Sequence, residues 1–124
     1  MQDEPTPIEL LKAVADFLRH EITPAIKGHN AFKLRVGINA LDLVMRQLTL
    51  ADSGDAAEHI RLKQLLAADG SLIELNRALS DKIAKGEVDL ATPGLSEHLW
   101  QNTMDKLGVD QPNYASYKRE LENK

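Results

Sequence analysis

Signals that start and stop helices recur along the whole sequence and restrict the chain to a helical fold. Thr6-Pro7-Ile8-Glu9 and Ser71-Leu72-Ile73-Glu74 are capping boxes, in which a hydroxyl and a glutamate satisfy N–H groups left free at a helix start. Four of the apolar segments are followed by a residue that ends helices: Pro24, Gly70, Gly86 or Gly108. No segment alternates apolar and polar residues as a strand requires. We therefore predict an all-α fold, a single compact bundle of five or six helices with short loops.

The same signals give the expected helix boundaries. The first helix starts at Thr6 and stops before Pro24, and the others cover about 30–50, 55–68, 72–85 and 93–107. We predict a loop at Asp52-Ser53-Gly54-Asp55, whose last residue opens the third helix. Thr92-Pro93 is expected to open the fifth helix, and Asn113 to cap a short sixth one.

Length and composition favour one domain. The 124 residues carry a formal net charge of -4 and no cysteine, which excludes disulfides. We expect a single helical domain over residues 1–124, with its core at about 6–108 and a tail or short helix at 109–124. The start MQDEPTP is unlike a signal peptide, and no apolar run reaches the roughly 20 residues of a membrane span. The absence of cysteine fits a reducing compartment, so we predict a cytoplasmic protein. We predict that it binds neither nucleic acid nor membranes, because phosphates attract basic surfaces and this chain is acidic.

Signatures of catalysis and cofactor binding are missing from the sequence. It has no phosphate-binding glycine loop, no HExxH helix and no nucleophile elbow, so we predict no cofactor and no metal site. Asp16 with His20, and Asp55 with His59, are carboxylate–imidazole pairs four residues apart. Such a pair can orient a base or supply two ligands, but it is more commonly an exposed contact on one helix face. We favour the second interpretation.

The second predicted helix contains the stretch FKLRVGINALDLVMRQL, residues 32–48, in which four polar residues interrupt an apolar sequence. Arg35, Asn39, Asp42 and Arg46 lie within about 60° on a helical wheel, while apolar residues cover about 240°. A helix with so wide an apolar surface is normally central in a bundle. The polar residues are candidates for an anion site or a protein interface. The alternative, which we favour, is a solvent-exposed stripe of ion pairs.

Two further polar residues are predicted on apolar helix faces. Asn76 lies within the apolar arc of the fourth predicted helix, so we expect its amide to bond Asn39 or a backbone carbonyl and to align two helices. A ligand contact is the less favoured alternative. Lys106 lies on the apolar side of the fifth predicted helix, where it either extends its stem towards water near the helix end or pairs with Asp110.

Three stretches carry a resemblance to a known family: PTPIELLKAVADFL at 5–18, FKLRVGINAL at 32–41 and KLGVDQPNY at 106–114. Together they are similar to a bacterial family of small, all-helical proteins of unknown function, over about residues 5–114. Members are typically encoded beside aminoglycoside-phosphotransferase-like kinases and acyl-CoA dehydrogenases. The resemblance implies a role in the catabolism of acyl-CoA or related acids, with such an enzyme as partner, and it brings no catalytic residue. The residues it reaches by motif position are Arg35, Asn39, Lys106, Gln111, Pro112 and Tyr114.

The sequence leaves three functions open. We favour a non-catalytic accessory or interaction protein, acting with an acyl-CoA dehydrogenase or a kinase-like phosphotransferase. The sequence leaves the oligomeric state open, and a symmetric homodimer is the commonest outcome for a small bacterial bundle. The alternative is a protein that binds an anionic small molecule such as an acyl-CoA. An enzyme that uses Asp42 with His59 or His29 is least favoured. The candidate ligand- or partner-binding residues are Arg35, Asn39, Asp42, Arg46, Asn76, Lys106, Asp110, Gln111 and Tyr114.

Overall fold

The computed structural model describes residues 4–123 and contains five α-helices. They are α1 (Pro7–Phe17), α2 (His29–Leu66), α3 (Leu72–Ala84), α4 (Leu95–Asp110) and α5 (Ala115–Glu122). The described residues form no strand, which confirms the predicted all-α class. The chain divides into two units, residues 1–50 and 51–124, and α2 contributes residues to both.

The first unit consists of α1, a connector and the first part of α2. Thr6 and Glu9 form the predicted capping box: the Thr6 N–H donates to Glu9 Oε2 over 2.8 Å, and the Glu9 N–H donates to Thr6 Oγ1 over 3.2 Å. After α1 the chain continues as a π-helical turn at Leu18–Ile22. Arg19 in this turn binds α2 through an ion pair of 2.6 Å with Asp42.

The second unit packs around a leucine-rich core built by the second part of α2 with α3 and α4. Its buried members are Leu62, Leu75, Leu79, Val88 and Leu95, and Leu65, Leu66 and Leu72 pack against them. The second predicted capping box opens α3, because the Ser71 side chain accepts from the Glu74 N–H and the Glu74 carboxylate accepts from the Ser71 N–H. This helix ends just before Gly86, as predicted.

A single helix of 38 residues replaces two predicted ones, so the predicted loop at 52–55 is wrong. Asp52, Ser53, Gly54 and Asp55 all have helical backbone. A glycine inside a helix costs only about 1 kcal/mol relative to alanine, and it keeps the N–H that a proline would remove. Since α2 contains no proline, its backbone hydrogen bonding continues through these four residues. Asp55 therefore lies inside a helix and does not cap one.

The fourth helix of the structure begins two residues later than predicted. The Asp89 N–H donates to Thr92 Oγ1 over 3.0 Å, which closes a turn before the helix. Gly94 follows with a φ of 90°, and α4 begins at Leu95. Thr92 therefore stabilises the preceding turn and does not cap the helix.

Gly108 lies inside α4, although the sequence predicted that it ends the helix. A Cβ at this position would stand 2.9 Å from the Tyr117 hydroxyl of α5, so the glycine makes room for that side chain. Tyr114, and not the predicted Asn113, occupies the N-cap position of α5. The predicted short last helix is present, but its starting residue is different.

Two helices end in the same hydrogen-bonded motif with different residues at its left-handed position. Gly86 follows α3 with a φ of 75°, and Ala67 follows α2 with a φ of 49°. In both places the next N–H donates to the carbonyl five residues earlier, over 2.9 Å after α3 and 3.3 Å after α2. This motif favours glycine, because a Cβ in the left-handed region costs about 1 kcal/mol or more.

We expect Ala67→Gly to raise the free energy of unfolding by about 0.5–1 kcal/mol, and Gly86→Ala to lower it by about 1 kcal/mol. A Cβ at position 86 would meet no atom within 4 Å, so its cost arises from φ alone. Urea unfolding of both variants beside the unchanged chain measures the two effects. Shifts of the same sign in the two variants would contradict this explanation.

Candidate functional site

Five polar residues of the second unit form a hydrogen-bonded cluster beside the leucine core. Glu58 and Arg61 come from α2, Asn76 from α3, and His98 and Asn102 from α4. His98 is only 2% exposed, and it is the one buried polar side chain among residues 4–123. The other four are half-buried. We call these five residues the polar network.

Helical spacing explains why these side chains meet. His98 and Asn102 are four residues apart and share one face of α4, while Glu58 and Arg61 are three apart on α2. Leu62, four residues after Glu58, is completely buried in the core. The polar network therefore lies beside the apolar core, within one turn of Leu62 on α2.

Asn102 is oriented by the charges on either side of it. Its Oδ1 accepts from Arg61 Nη2 over 2.7 Å, which turns its Nδ2 towards Glu58 Oε1 at 3.3 Å. The same Glu58 oxygen accepts from Asn76 Nδ2 over 3.1 Å. One carboxylate oxygen thus joins α3 and α4 to α2, and hydrogen bonds to a charged acceptor are roughly twice as strong as neutral ones.

Both ring nitrogens of His98 face hydrogen-bond donors. Nδ1 lies 3.3 Å from Arg61 Nε, and Nε2 lies 3.2 Å from Asn102 Nδ2. A neutral imidazole has one acceptor nitrogen, so either tautomer makes one of these hydrogen bonds. An imidazolium carries two N–H groups and would make neither. The polar network therefore favours the neutral form of His98.

The pKa of His98 lies below its ordinary value of 6.5. Burial is the largest cause, because the charged form loses its hydration, and the positive Arg61 guanidinium adds to the effect. The Glu58 carboxylate acts in the opposite direction but is the smallest of the three influences. Since a neighbouring donor occupies the acceptor nitrogen, this arrangement aligns helices and offers no free base.

Asn76 was predicted to align two helices, and the structure gives it a different partner. It donates to Glu58 in its own unit and not to Asn39 or a backbone carbonyl. The sequence reasoning did not single out Arg61, His98 or Asn102. The spacing of His98 and Asn102 could have indicated this site, because both share the arc of the buried Leu95 on α4. Their partners on α2 could not be identified in the same way, since they are 37 to 44 residues away in the sequence.

The polar stripe of α2 has a mixed environment in the first unit. Arg35 and Asn39 are exposed, whereas Asp42 and Arg46 are half-buried. Asp42 accepts from Arg19 Nη2 over 2.6 Å, a contact that a helical wheel of α2 alone does not reveal. Part of the stripe therefore serves as the contact between α2 and the turn after α1.

Large apolar side chains of the first unit remain exposed. On α1 these are 46% to 49% exposed: Leu10, Val14 and Phe17. On α2 they are 37% to 55% exposed: Phe32, Val36, Leu43, Val44, Leu48 and Leu50. Among the described residues of this unit, only Ala15 and Ile38 are buried. The prediction that this part of α2 is the central helix of a bundle, with its apolar surface covered by neighbours, is therefore wrong.

The candidate residues near the C-terminus are all exposed: Lys106, Asp110, Gln111 and Tyr114. The Gln111 carbonyl accepts from the Tyr114 N–H over 3.0 Å, which closes the turn between α4 and α5. Lys106 was predicted on the apolar side of this helix, between Leu95 and Leu99. Leu95 is buried, whereas Leu99 is 41% exposed and Lys106 is exposed near the end of α4.

The two predicted carboxylate–imidazole pairs have other contacts. Asp16 accepts from Lys12 Nζ over 2.6 Å, and this hydrogen bond lowers the pKa of Asp16. His59 Nε2 lies 2.7 Å from the carbonyl oxygen of Gly70, in the connector after α2. His59 therefore contacts a backbone carbonyl, and Asp42 is in an ion pair with Arg19. Both side chains are engaged in contacts within the protein.

The lowered pKa of His98 predicts a pH dependence of stability. The unfolded chain takes up a proton near pH 6.5, whereas the folded protein takes it up only at lower pH. The free energy of unfolding is therefore highest above pH 6.5 and falls as the pH decreases, by up to about 1.4 kcal/mol per pH unit. Denaturant unfolding between about pH 8 and pH 5 measures this slope.

The matched variants are His98→Gln and His20→Gln. His98→Gln removes the titrating group and is expected to flatten the slope. His20 is exposed, so its replacement should leave the slope in place. Equal slopes in His98→Gln and the unchanged chain would contradict the assignment to His98.

Asn76→Leu is expected to lower the free energy of unfolding by about 1–3 kcal/mol, because the Glu58 carboxylate loses a donor in a half-buried position. In a Glu58→Gln background the same substitution should cost less, since no charged acceptor remains. Thermal and denaturant unfolding of the four proteins completes this double-mutant cycle. Additive effects would show that the two side chains are not coupled.

Comparison with known protein families places the chain in a family of unknown function. The profile of the Domain of unknown function (DUF6285) matches residues 24–114, which is most of the chain. No curated protein and no solved structure matches significantly. The match agrees with the expected family of unknown function. The chain therefore belongs to the DUF6285 family.

Proposed function

We propose that this protein is a non-catalytic accessory protein that acts in the cytoplasm by binding an enzyme of acyl-CoA or related acid catabolism. The partner is an acyl-CoA dehydrogenase or a kinase-like phosphotransferase. These two classes are typically encoded beside the family that the sequence resembles. The observation that carries the proposal is the exposed apolar surface of the first unit.

The balance of buried and exposed apolar residues supports a binding role for this unit. Nine of its large apolar side chains are at least 37% exposed, while only Ala15 and Ile38 are buried among the residues described. The second unit also exposes apolar side chains, but it has a leucine core of its own. Single exposed apolar residues are ordinary on protein surfaces, whereas contiguous sets mark interaction sites.

The exposed apolar residues of α2 lie on two separate sides of the helix. Phe32, Val36 and Leu43 share one side, within about 40° on a helical wheel. Val44 and Leu48 share another, about 120° away. Two apolar sides give a small protein the means to contact more than one surface.

The contacts of the ionisable side chains support a role without catalysis. His98 is buried between two donors, His59 binds a backbone carbonyl and Asp42 is in an ion pair. Each of these groups has a partner within its own unit. A general base needs a lone pair directed at a substrate, and these contacts use the side chains for structure.

The test is direct binding to the two enzymes. The full chain, with each enzyme from the same genome, would be examined by isothermal titration calorimetry and by co-purification. Leu48→Glu is expected to weaken binding at least about tenfold, equivalent to about 1.4 kcal/mol, because it places a charge in the apolar contact.

Leu90→Glu is the matched control, since Leu90 is 81% exposed but belongs to the loop of the second unit. It should leave the affinity unchanged, and circular dichroism should show equal helix content in both variants. Failure of both enzymes to bind, together with tight binding of acyl-CoA, would overturn the proposal in favour of a small-molecule binder. Loss of affinity in Leu90→Glu alone would place the contact outside the first unit.

A further inference from the structure

We propose that α2 has a second, less populated state in which it breaks into two helices between Ser53 and Asp55. Gly54 ends the first of these helices, and Asp55 begins the second. The structure shows the continuous form, in which all three residues have helical backbone. We call Ser53, Gly54 and Asp55 the break point. The inference concerns the chain alone, so it does not depend on any enzyme partner.

Buried side chains hold α2 on both sides of the break point but not at it. Ile38 and Leu62 are 4% and 0% exposed, and the structure describes every residue between them without a buried one. Within residues 47–57, Ala51 and Gly54 are half-buried and the rest are exposed. Segments with few buried apolar contacts open locally at a lower free energy than segments in a core. Burial therefore contributes little to keeping this part of α2 helical.

The local sequence also favours a break. Residues 52–55 read DSGD, in which aspartate and serine compete for nearby backbone groups and glycine loses the most conformational freedom in a helix. A Cβ at Gly54 would meet no atom within 4 Å, so no close contact requires a glycine there. Gly108 differs, because the Tyr117 hydroxyl occupies the space beside it. A break explains the glycine at position 54, whereas the packing of the continuous helix does not.

The break point contains the signals that end one helix and begin another. Glycine readily adopts the left-handed conformation after a helix end, as Gly86 does after α3 with a φ of 75°. Asp55 then occupies an N-cap position, where an aspartate accepts from N–H groups of the first turn. Glu58 follows three residues later, which is the spacing of a capping box. Residues already present therefore cap both new helix ends.

Glu58 can complete this capping box while it remains in the polar network. Its contacts with Asn76 and Asn102 both use Oε1, over 3.1 Å and 3.3 Å. The other carboxylate oxygen, Oε2, can accept from the Asp55 N–H when α2 breaks. The leucine core also begins after the break point, with Leu62. The break therefore leaves the polar network and the core of the second unit in place.

The break changes the backbone hydrogen bonding of two residues. In the continuous helix, the N–H groups of Ala56 and Ala57 point to the carbonyls four residues earlier, those of Asp52 and Ser53. With Asp55 as N-cap, these N–H groups occupy the first two positions of a new helix and lose those partners. Opening that is confined to two adjacent residues distinguishes a break from the unfolding of a whole unit.

Amide hydrogen exchange of the full chain, followed residue by residue by NMR, tests the proposal. After correction for intrinsic rates, Ala56 and Ala57 should exchange at least about tenfold faster than Ala40. Ala40 is the matched reference, because it is also an exposed alanine of α2. Equal protection of the three alanines, or a rate that changes smoothly along the helix, would overturn the proposal.

Gly54→Ala is expected to slow the exchange of Ala56 and Ala57 at least about tenfold, because alanine favours the helix and disfavours the left-handed conformation of the break. Gly37→Ala is the matched control. A Cβ at position 37 also meets no atom within 4 Å, but the buried Ile38 follows it. This control should leave the exchange of the two alanines unchanged. Equal slowing by both substitutions would indicate general stabilisation of the helix and contradict the break.

Asp52→Ala and Asp55→Ala separate capping from helix preference. Both aspartates are exposed, and alanine raises the helix preference equally at the two positions. Only Asp55→Ala removes the N-cap, so it should slow the exchange of Ala56 and Ala57 about fivefold more, the equivalent of about 1 kcal/mol. Equal effects of the two substitutions would rule out a helix that begins at Asp55. These measurements use the chain alone, so a negative result leaves the proposed binding of an enzyme untouched.

Discussion

Both units of the structure are built on α2, so the fold depends on the backbone hydrogen bonding that carries this helix through residues 52–55. Asp42, which binds the turn after α1, and Leu62, which lies in the leucine core, belong to this one helix. Helix formation is cooperative: once a helix exists, each further residue adds a hydrogen bond at little extra cost. Long helical segments on both sides therefore overcome the weak local preference of aspartate, serine and glycine for a loop.

The same competition between local and distant interactions decides what the sequence predicts. The capping boxes at Thr6 and Ser71 were predictable, because each is complete within four residues. Gly108 was misinterpreted, because the reason for a glycine there is the hydroxyl of Tyr117, nine residues further along and on another helix. The helix class and the helix starts marked by capping boxes follow from local signals, whereas a glycine inside a helix can be understood only from what packs against it.

The candidate site was predictable in part for the same reason. Asn76 attracted notice because an amide within an apolar arc is unusual, and it does lie in the polar network. Its partner Glu58 is 18 residues away, and Arg61 contacts Asn102 over a separation of 41 residues. A helical wheel describes one helix at a time, so it identifies a residue that needs a partner without identifying the partner.

The two units differ in the core that each builds, although both expose large apolar side chains. In the second unit a histidine is buried and each charged member of the polar network has a partner, which stabilises the packing of three helices. In the first unit apolar side chains are exposed on two sides of α2 that are about 120° apart. The second unit is therefore stabilised by its own core and polar network, whereas the first unit leaves two apolar sides of α2 uncovered.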